Sequence, residues 1–440
     1  MRLDLGAAAV ETFSRGAILR AMLGAKVRAR PALSSNFLNT LFRNGIQVVL
    51  GSLLCGGLVT PASGWELTGQ IAAEARAFAE DAILDGKHGF NTSLAIAPEL
   101  YHEWAKESLA LTVSPFARID QGDEERTHLD LREAFLLYSG DHYEVRAGVR
   151  QVFWGVAESQ HLVDIVGQTD LIENPDGEDK LGQPMMELTL LPSFGVIELS
   201  ALIGSRERTF PGTEGRLGTI PVADGEYESS AEEWHIGWAG RWSHYLGPFD
   251  FGLSHFQGTS REPVLRFDPN GTTPSLIPYY PLIDQTGIDL QATLGGWLWK
   301  LEAIRRAGFG PKGHERTFTA AVGGFEYTLV GVGGSVYDLG LIAEMHLDDR
   351  GDDATTPFQD DIFVGARLVL NDVMSTDCLA GVVIDRTSGT VFSSVEASRR
   401  VGDRWRVYLE YRGFGGLEKD DPLYGIRNDD HLQIEIVRFF

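Results

Sequence analysis

The chain has 440 residues, with 62 acidic against 38 basic side chains, a net charge of −24 and two cysteines. So acidic a polypeptide is a poor partner for nucleic acid, and two cysteines cannot build a disulfide framework or a Cys-based metal site. No apolar run is long enough for a membrane-spanning helix.

The first 64 residues read as a targeting segment. Arg2, Arg15, Arg20, Lys26, Arg28, Arg30 and Arg43 face only Asp4 and Glu11, and the apolar stretch from Ile46 to Thr60 follows. Pro61, Ala62, Ser63 and Gly64 then supply the small residues of a signal-peptide cleavage site before Trp65. The basic lead is unusually long, so the true start is expected further in, with Met22 a candidate. An organellar transit peptide shares the Arg-rich, acid-poor composition, but the apolar core and small-residue site favour secretion. Leu54 before Cys55 does not fit a lipoprotein signal. Removing seven basic and two acidic groups with this segment leaves a mature chain of net charge −29 and Cys378 alone.

From Trp65 the sequence divides into stretches of alternating apolar and polar character, the pattern of half-buried β-strands. Eighteen are expected, at 66–78, 90–103, 107–120, 127–139, 142–156, 184–194, 196–207, 230–246, 249–259, 277–294, 297–308, 316–329, 334–347, 360–371, 376–386, 389–401, 404–415 and 430–440, with sixteen as the alternative count. Connections after even-numbered strands are mostly short and every long one follows an odd-numbered strand, which sorts them onto opposite rims of an all-β antiparallel barrel. Residues 65–440 are expected to form a single domain.

The faces separate by charge. Ile71, Ala73, Ala75 and Ala77 alternate with Gln70, Glu74, Arg76 and Phe78, and Trp405, Val407, Leu409 and Tyr411 alternate with Arg406, Tyr408, Glu410 and Arg412. Trp65, Trp104, Trp297, Trp299 and Trp405 fall near strand ends, where an aromatic girdle belongs. A soluble sandwich also alternates, yet nearly twenty such strands without a domain break would be unusual for one. In the last ten residues Leu432, Ile434, Ile436 and Phe440 share one face and Gln433 and Glu435 the other. Arg438 falls on the apolar face, which is tolerable only at a membrane rim.

This ending resembles the C-terminal strand of Gram-negative outer-membrane β-barrels. The resemblance implies a transmembrane barrel in the cell outer membrane, with lipid and lipopolysaccharide around it and Phe440 part of the signal read by the barrel assembly machinery. The run from Leu129 to Ser159 similarly resembles a hairpin of porin-like channels, an LREA strand, a tight turn and an R-x-G-x-R-Q-x-x-W-G strand.

Alternation places Glu74, Arg76, Arg118, Arg132, Arg146, Arg150, Lys300, Glu302, Arg406, Glu410 and Arg412 on the inward face as candidate pore wall. Glu133 falls outward if its strand is regular, so a bulge or a subunit contact is expected there. Residues 158–183 form the longest connection in the first half and carry Asp164, Asp170, Glu173, Asp176, Glu178 and Asp179 against Lys180. In porins, which this layout resembles, the third external loop folds into the lumen and sets the constriction. These acids would then face basic wall residues across the pore and screen solutes by charge. The apolar run Leu162 to Val166 favours burial of part of the loop.

Enzyme and cofactor motifs are absent, and the acid clusters at 120–125, 348–353 and 420–421 lack the spacing of a calcium loop. Ser243 with His244 and Ser254 with His255 cannot pair as nucleophile and base, because adjacent strand residues point to opposite faces. The expected function is passive diffusion of small hydrophilic solutes, with no metal or cofactor and with homotrimeric assembly as the oligomer to test. A transporter of hydrophobic compounds, or a barrel with a filled lumen acting as an enzyme or structural protein, is the alternative.

Overall fold

The computed structural model describes residues 64–440 other than 85, 105–107, 271, 272, 420 and 422. The expected lead and signal segment lie outside the described residues, apart from Gly64. Eighteen strands make one sheet. The first nine are β1 (Trp65–Phe78), β2 (Phe90–Trp104), β3 (Leu109–Asp120), β4 (His128–Ser139), β5 (Tyr143–Arg150), β6 (Gln183–Leu190), β7 (Val196–Ile203), β8 (Ile236–Leu246) and β9 (Phe249–Thr259). They are followed by β10 (Leu282–Leu294), β11 (Trp297–Phe309), β12 (Arg316–Leu329), β13 (Asp338–Asp348), β14 (Asp361–Val369), β15 (Asp377–Asp385), β16 (Val391–Val401), β17 (Trp405–Gly415) and β18 (His431–Phe439).

Each strand pairs antiparallel with its neighbour in this series, and β18 pairs with β1, so the sheet closes and no edge is left unpaired. Closure is what lets a sheet sit in lipid, where an unpaired backbone amide has no water to turn to. The seam is completed by Phe440, whose N–H donates to the Gly69 carbonyl at 3.0 Å and whose carbonyl accepts from the Gly69 N–H at 3.1 Å. Gly69 has a φ of +154°, and a Cβ there would lie 2.9 Å from the Phe440 ring and 2.6 Å from the Ala97 carbonyl oxygen, so only glycine admits the final aromatic residue. Among the described residues no helix is long and apolar enough to cross a membrane.

The alternation read from sequence is the alternation of the wall. Leu94, Ile96, Leu136, Met186, Leu199, Leu341 and Leu409 are exposed on the outside, whereas Glu74, Arg76, Arg118, Glu302, Glu344, Glu410 and Glu435 are buried on the inside. On β18, His431, Gln433, Glu435 and Val437 point in and Leu432, Ile434, Ile436 and Arg438 point out. Arg438 stands over the Trp405 ring, 5.8 Å from its centroid, at the rim where both chain ends of the barrel lie. We call this the near rim and the opposite one the far rim.

Two local departures matter. Between β3 and β4 the register shifts, Ser114 facing Glu133 and Pro115 facing Leu131, so Arg132 is the extra residue of a β-bulge. The bulge resets the alternation: Leu129 and Leu131 are exposed below it, Leu136 and Tyr138 above it, and Glu133 turns to accept from the Gln151 N–H at 3.4 Å. The fifth strand, expected to run to 156, instead ends at Arg150. Residues 151–182 leave the wall, so the inward loop is longer than the 158–183 read from sequence.

Candidate functional site

The loop 151–182 (L3, following β5) enters the barrel and divides its interior into two unlike halves. On the β6–β12 side, an inward apolar set near the far rim, Met185, Leu202, Phe256, Ile283, Ile304 and Phe318, forms a buried cluster with Trp154, Val163, Ile165 and Val166 of L3, whereas inward Glu187, Ser200 and Asp289 nearer the near rim are polar. Val163 and Val166 are 0% exposed. This contact between L3 and the wall is dry and filled.

Anchors at the border of the dry half come from strand carboxylates. Glu302 of β11 accepts from the N–H groups of Val156 (2.7 Å), Ala157 (2.9 Å) and Val163 (3.1 Å). Glu344 of β13 accepts from the N–H groups of Glu158 and Ser159 and from the Ser159 hydroxyl. Loop amides that turn away from a sheet need acceptors when buried, and these two side chains provide them. Ser159 also lies 2.7 Å from His346 Nε2. Here the carboxylate bonds the hydroxyl rather than the imidazole, so the trio anchors the loop and lacks the order of a nucleophilic triad.

On the other side, facing β1–β5 and β13–β18, L3 meets the wall through ions. Glu173 receives Arg118 Nη2 at 2.7 Å, and Arg132 Nη2 lies 2.6 Å from Asp170. Arg412 bridges Asp176 at 2.7 Å, Glu410 at 2.7 Å and Glu396 at 2.9 Å, while Asn174 donates to Glu410. Arg76 bonds Gln433 and Glu74 and donates to the Glu173 carbonyl oxygen at 2.9 Å. Glu158 is held by Lys300 (3.1 Å) and Arg367 (2.8 Å).

Other acids of the loop are paired within it: Asp164 with Lys180 at 3.0 Å and Glu178 with His161 at 3.0 Å. Asp179 lines the remaining cavity, and its carbonyl accepts from the Asp170 N–H. Acids and arginines therefore touch, rather than facing one another across an open lumen.

The other expected wall residues stay away from the loop acids. Arg146 pairs with Glu144 and Glu187, Arg150 with Glu187, and Arg406 with Ser398 and Asp377. Sequence reading also missed the hub of the network, Arg126. It lies in the β3–β4 connection, 2% exposed, and binds Glu74, Asp120 and the carbonyls of Ile172 and Glu173. A lone arginine closing the acidic run from Asp120 to Glu125 was the only signal for it.

These contacts set the charge states of the loop. Burial raises Glu173, but Arg118 and Arg126 outweigh it and hold its carboxyl below the usual range. Asp176 goes the other way: burial, with Glu410 and Glu178 nearby, pushes it up to about 6 against the pull of Arg412. Burial pulls His161 down, yet Glu178 and Glu302 overcome it and hold the imidazole well above 6.5.

A cavity of about 90 Å³ remains between L3 and the wall, lined by Gln70, Glu74, Arg118, Glu173, Asp179, Gln433 and Glu435 among others. Above it a second strap crosses towards the same wall. Residues 204–235, which follow β7, reach the loops of β1, β2, β3 and β18. Thr209 donates to Asp170 at 2.6 Å, the Gly212 N–H to Asp123 at 3.1 Å, and Lys87 to the Gly215 carbonyl at 2.7 Å. Arg216 bonds Asp429 at 2.8 Å with the Phe78 ring 4.5 Å below it. Nothing in the composition of this connection announced that it would span the mouth.

A closed antiparallel barrel of eighteen strands, apolar outside and charged inside, with a long loop folded into it, has the fold of porin-type outer-membrane β-barrels. No protein-family model matches the chain, and no curated protein matches its sequence. Among solved structures, a BenF-like porin from Pseudomonas fluorescens Pf-5 is similar at TM-score 0.52 and 9% identity, covering 86% of this chain and 97% of that one. OccK8 (OprE) of Pseudomonas aeruginosa is similar at TM-score 0.50 and 10% identity, with the same coverage. Identities this low speak for the fold alone.

Proposed function

We propose that this barrel is a passive channel for small hydrophilic solutes, and that its conducting path runs down the polar side of L3, along β1, β2 and β18. The observation that carries the reading is the division of the interior. On the β6–β12 side L3 is sealed to the wall by apolar packing, and on the other it leaves a cavity walled by carboxylates, amides and Arg118. In this reading L3 is the constriction and Glu74, Arg118, Glu173, Asp179 and Glu435 are the groups a solute meets there.

Because the basic residues near the path are engaged by acids, the channel is expected to favour cations weakly rather than to bind anions in an open arginine ladder. Phe440 serves in this proposal as the assembly signal, read by the barrel assembly machinery, and lipopolysaccharide contacts the acidic far-rim loops. Homotrimeric assembly is the alternative to the paired assembly argued below, and neither bears on conduction. No enzymatic step is assigned.

Reconstitution in a planar bilayer tests the central statement. Ion-conducting steps with a modest cation preference are expected, and liposomes carrying the protein should swell in small sugars. A barrel that gives no conducting steps in any salt has a filled lumen, and the channel proposal ends.

A further inference from the structure

On most strands the outward positions in the middle of the wall are apolar: Leu94 and Ile96 on β2, Leu341, Ala343 and Met345 on β13, and Val407 and Leu409 on β17. One stretch departs from this. On β9–β12 the lower outward positions Leu253, Ile288 and Leu301 keep to this, but the row above them, His255, Gln257, Asp284, Thr286, Arg305 and Thr319, is exposed and polar or charged. They are neighbours across the ladder, with His255 opposite Thr286, Thr286 opposite Arg305, Arg305 opposite Thr319 and Gln257 opposite Asp284.

Their depth gives the patch its meaning. At about 3.4 Å per residue and a tilt of about 40°, His255 stands roughly 15 Å above Phe249 at the near rim and Arg305 roughly 20 Å above Trp297, inside an apolar band about 25 Å tall, while Asp284 reaches roughly 26 Å above Leu294, at the far edge of that band. Arginine reaches an interface by extending its stem. The imidazole of His255 cannot, and acyl chains offer it no partner. Within the patch His255 bonds Thr286 (3.0 Å) and approaches Asp284 at 3.5 Å, which leaves both half exposed, while Arg305 has no ion pair among the described residues. Lipopolysaccharide headgroups reach Asp284 at the edge of the band but not His255 and Arg305 within it, so a protein surface is the better cover for the whole patch.

We infer that this patch is an interface with a second copy of the chain. It carries an acid, Asp284, one strand from an unpaired base, Arg305, so a copy related by a two-fold axis brings the acid of each to the base of the other. Outward small residues beside the row, Gly240 on β8 and Ala303 on β11, let the two walls approach. The inference rests on the membrane-spanning reading and not on conduction. It gives paired barrels, in contrast to the trimer expected from resemblance.

The test is cross-linking of the full chain in outer membranes, in a Cys378→Ser background. Thr286→Cys treated with a short bifunctional maleimide is expected to give a covalent dimer, and Leu94→Cys on β2, on the opposite side of the barrel, only monomer. Native mass spectrometry of the unmodified protein should show dimers, and the triple variant His255→Leu, Asp284→Leu, Arg305→Leu should shift them to monomers while single-channel conductance stays unchanged. Failure of Thr286→Cys to cross-link in a heat-modifiable, folded barrel overturns the inference. So does a trimer without that cross-link, or a monomer whose bound lipopolysaccharide is lost in Arg305→Leu. None of these results touches the channel reading, which conductance judges separately.

Discussion

The two halves of the interior share one wall and one loop yet are held by opposite physics. Against β6–β12 the loop presents Trp154, Val163, Ile165 and Val166 to inward Phe256, Ile304 and Phe318, and water is excluded. Each such side chain contributes about 1.5–3 kcal/mol on full burial. Against β1–β5 and β13–β18 the same loop presents Asp170, Glu173 and Asp176 to Arg132, Arg118 and Arg412. A buried ion pair adds little net stability over an apolar contact, but removing one partner is costly because the other charge is stranded. The dry half therefore sets where the loop sits, and the wet half sets what charge lines the space left over.

The sharpest way to break this contrast is to put charge into the dry half. Val163→Asp strands a carboxylate at a position with no exposure, at a cost of about 3–5 kcal/mol. We expect the barrel to form, residues 151–182 to lose hydrogen-exchange protection, and conductance to rise as L3 leaves the lumen. Unchanged protection would show that the apolar cluster does not hold the loop.

Next in size is Glu302→Leu, which orphans the amides of Val156, Ala157 and Val163. A loss of about 2–4 kcal/mol is expected, read as lower urea stability of L3 in micelles and more open-channel noise. On the wet side, Glu173→Gln should cost only about 1–2 kcal/mol, because the amide oxygen still accepts from Arg118, whose charge Glu74 also balances at 3.3 Å, but it should move the reversal potential towards anions. A larger stability loss there than at Val163 would invert the comparison.

The fourth prediction concerns pH. The folded His161 titrates well above its ordinary 6.5, so its contacts with Glu178 and Glu302 stabilise L3 fully below about 6.5 and are lost as pH rises through the raised value. Channel noise should therefore grow on the alkaline side, and His161→Gln should flatten that dependence. Asp176 works in the opposite sense. Raised to about 6 from 3.8, its ionisation in the folded state is disfavoured, so its contribution weakens the loop as pH climbs between those values. The smallest effect is expected from Arg438→Leu at the rim, within about 0.5 kcal/mol in a thermal melt of the detergent-solubilised barrel.

Much of the wall was legible in the order of residues alone. Period-two alternation is a local property, and in a closed barrel each strand meets the same two environments, so Glu74, Arg76, Glu302 and Glu410 could be assigned inward one strand at a time. The trouble at Glu133 was visible as well, because a charge on the wrong parity signals a bulge before its position is known. The content of L3, acidic with an apolar run, was legible too, but its start was not. The residues from Gln151 to Val156 alternate well enough to pass for strand, and only their docking on Glu302 takes them out of the ladder.

What the sequence by itself determined is the tube: strand number, closure, which side is greasy and which ionic, and the aromatic residue at the seam. What only the tertiary structure decided is how the tube is filled. Whether Asp176 meets Arg412, whether Arg126 becomes the hub beneath Glu173, and whether the strap after β7 crosses to Asp429 depend on pairs separated by dozens to hundreds of residues. No local pattern encodes such pairings, because they are chosen when long loops find the few buried partners that satisfy their charges and amides together.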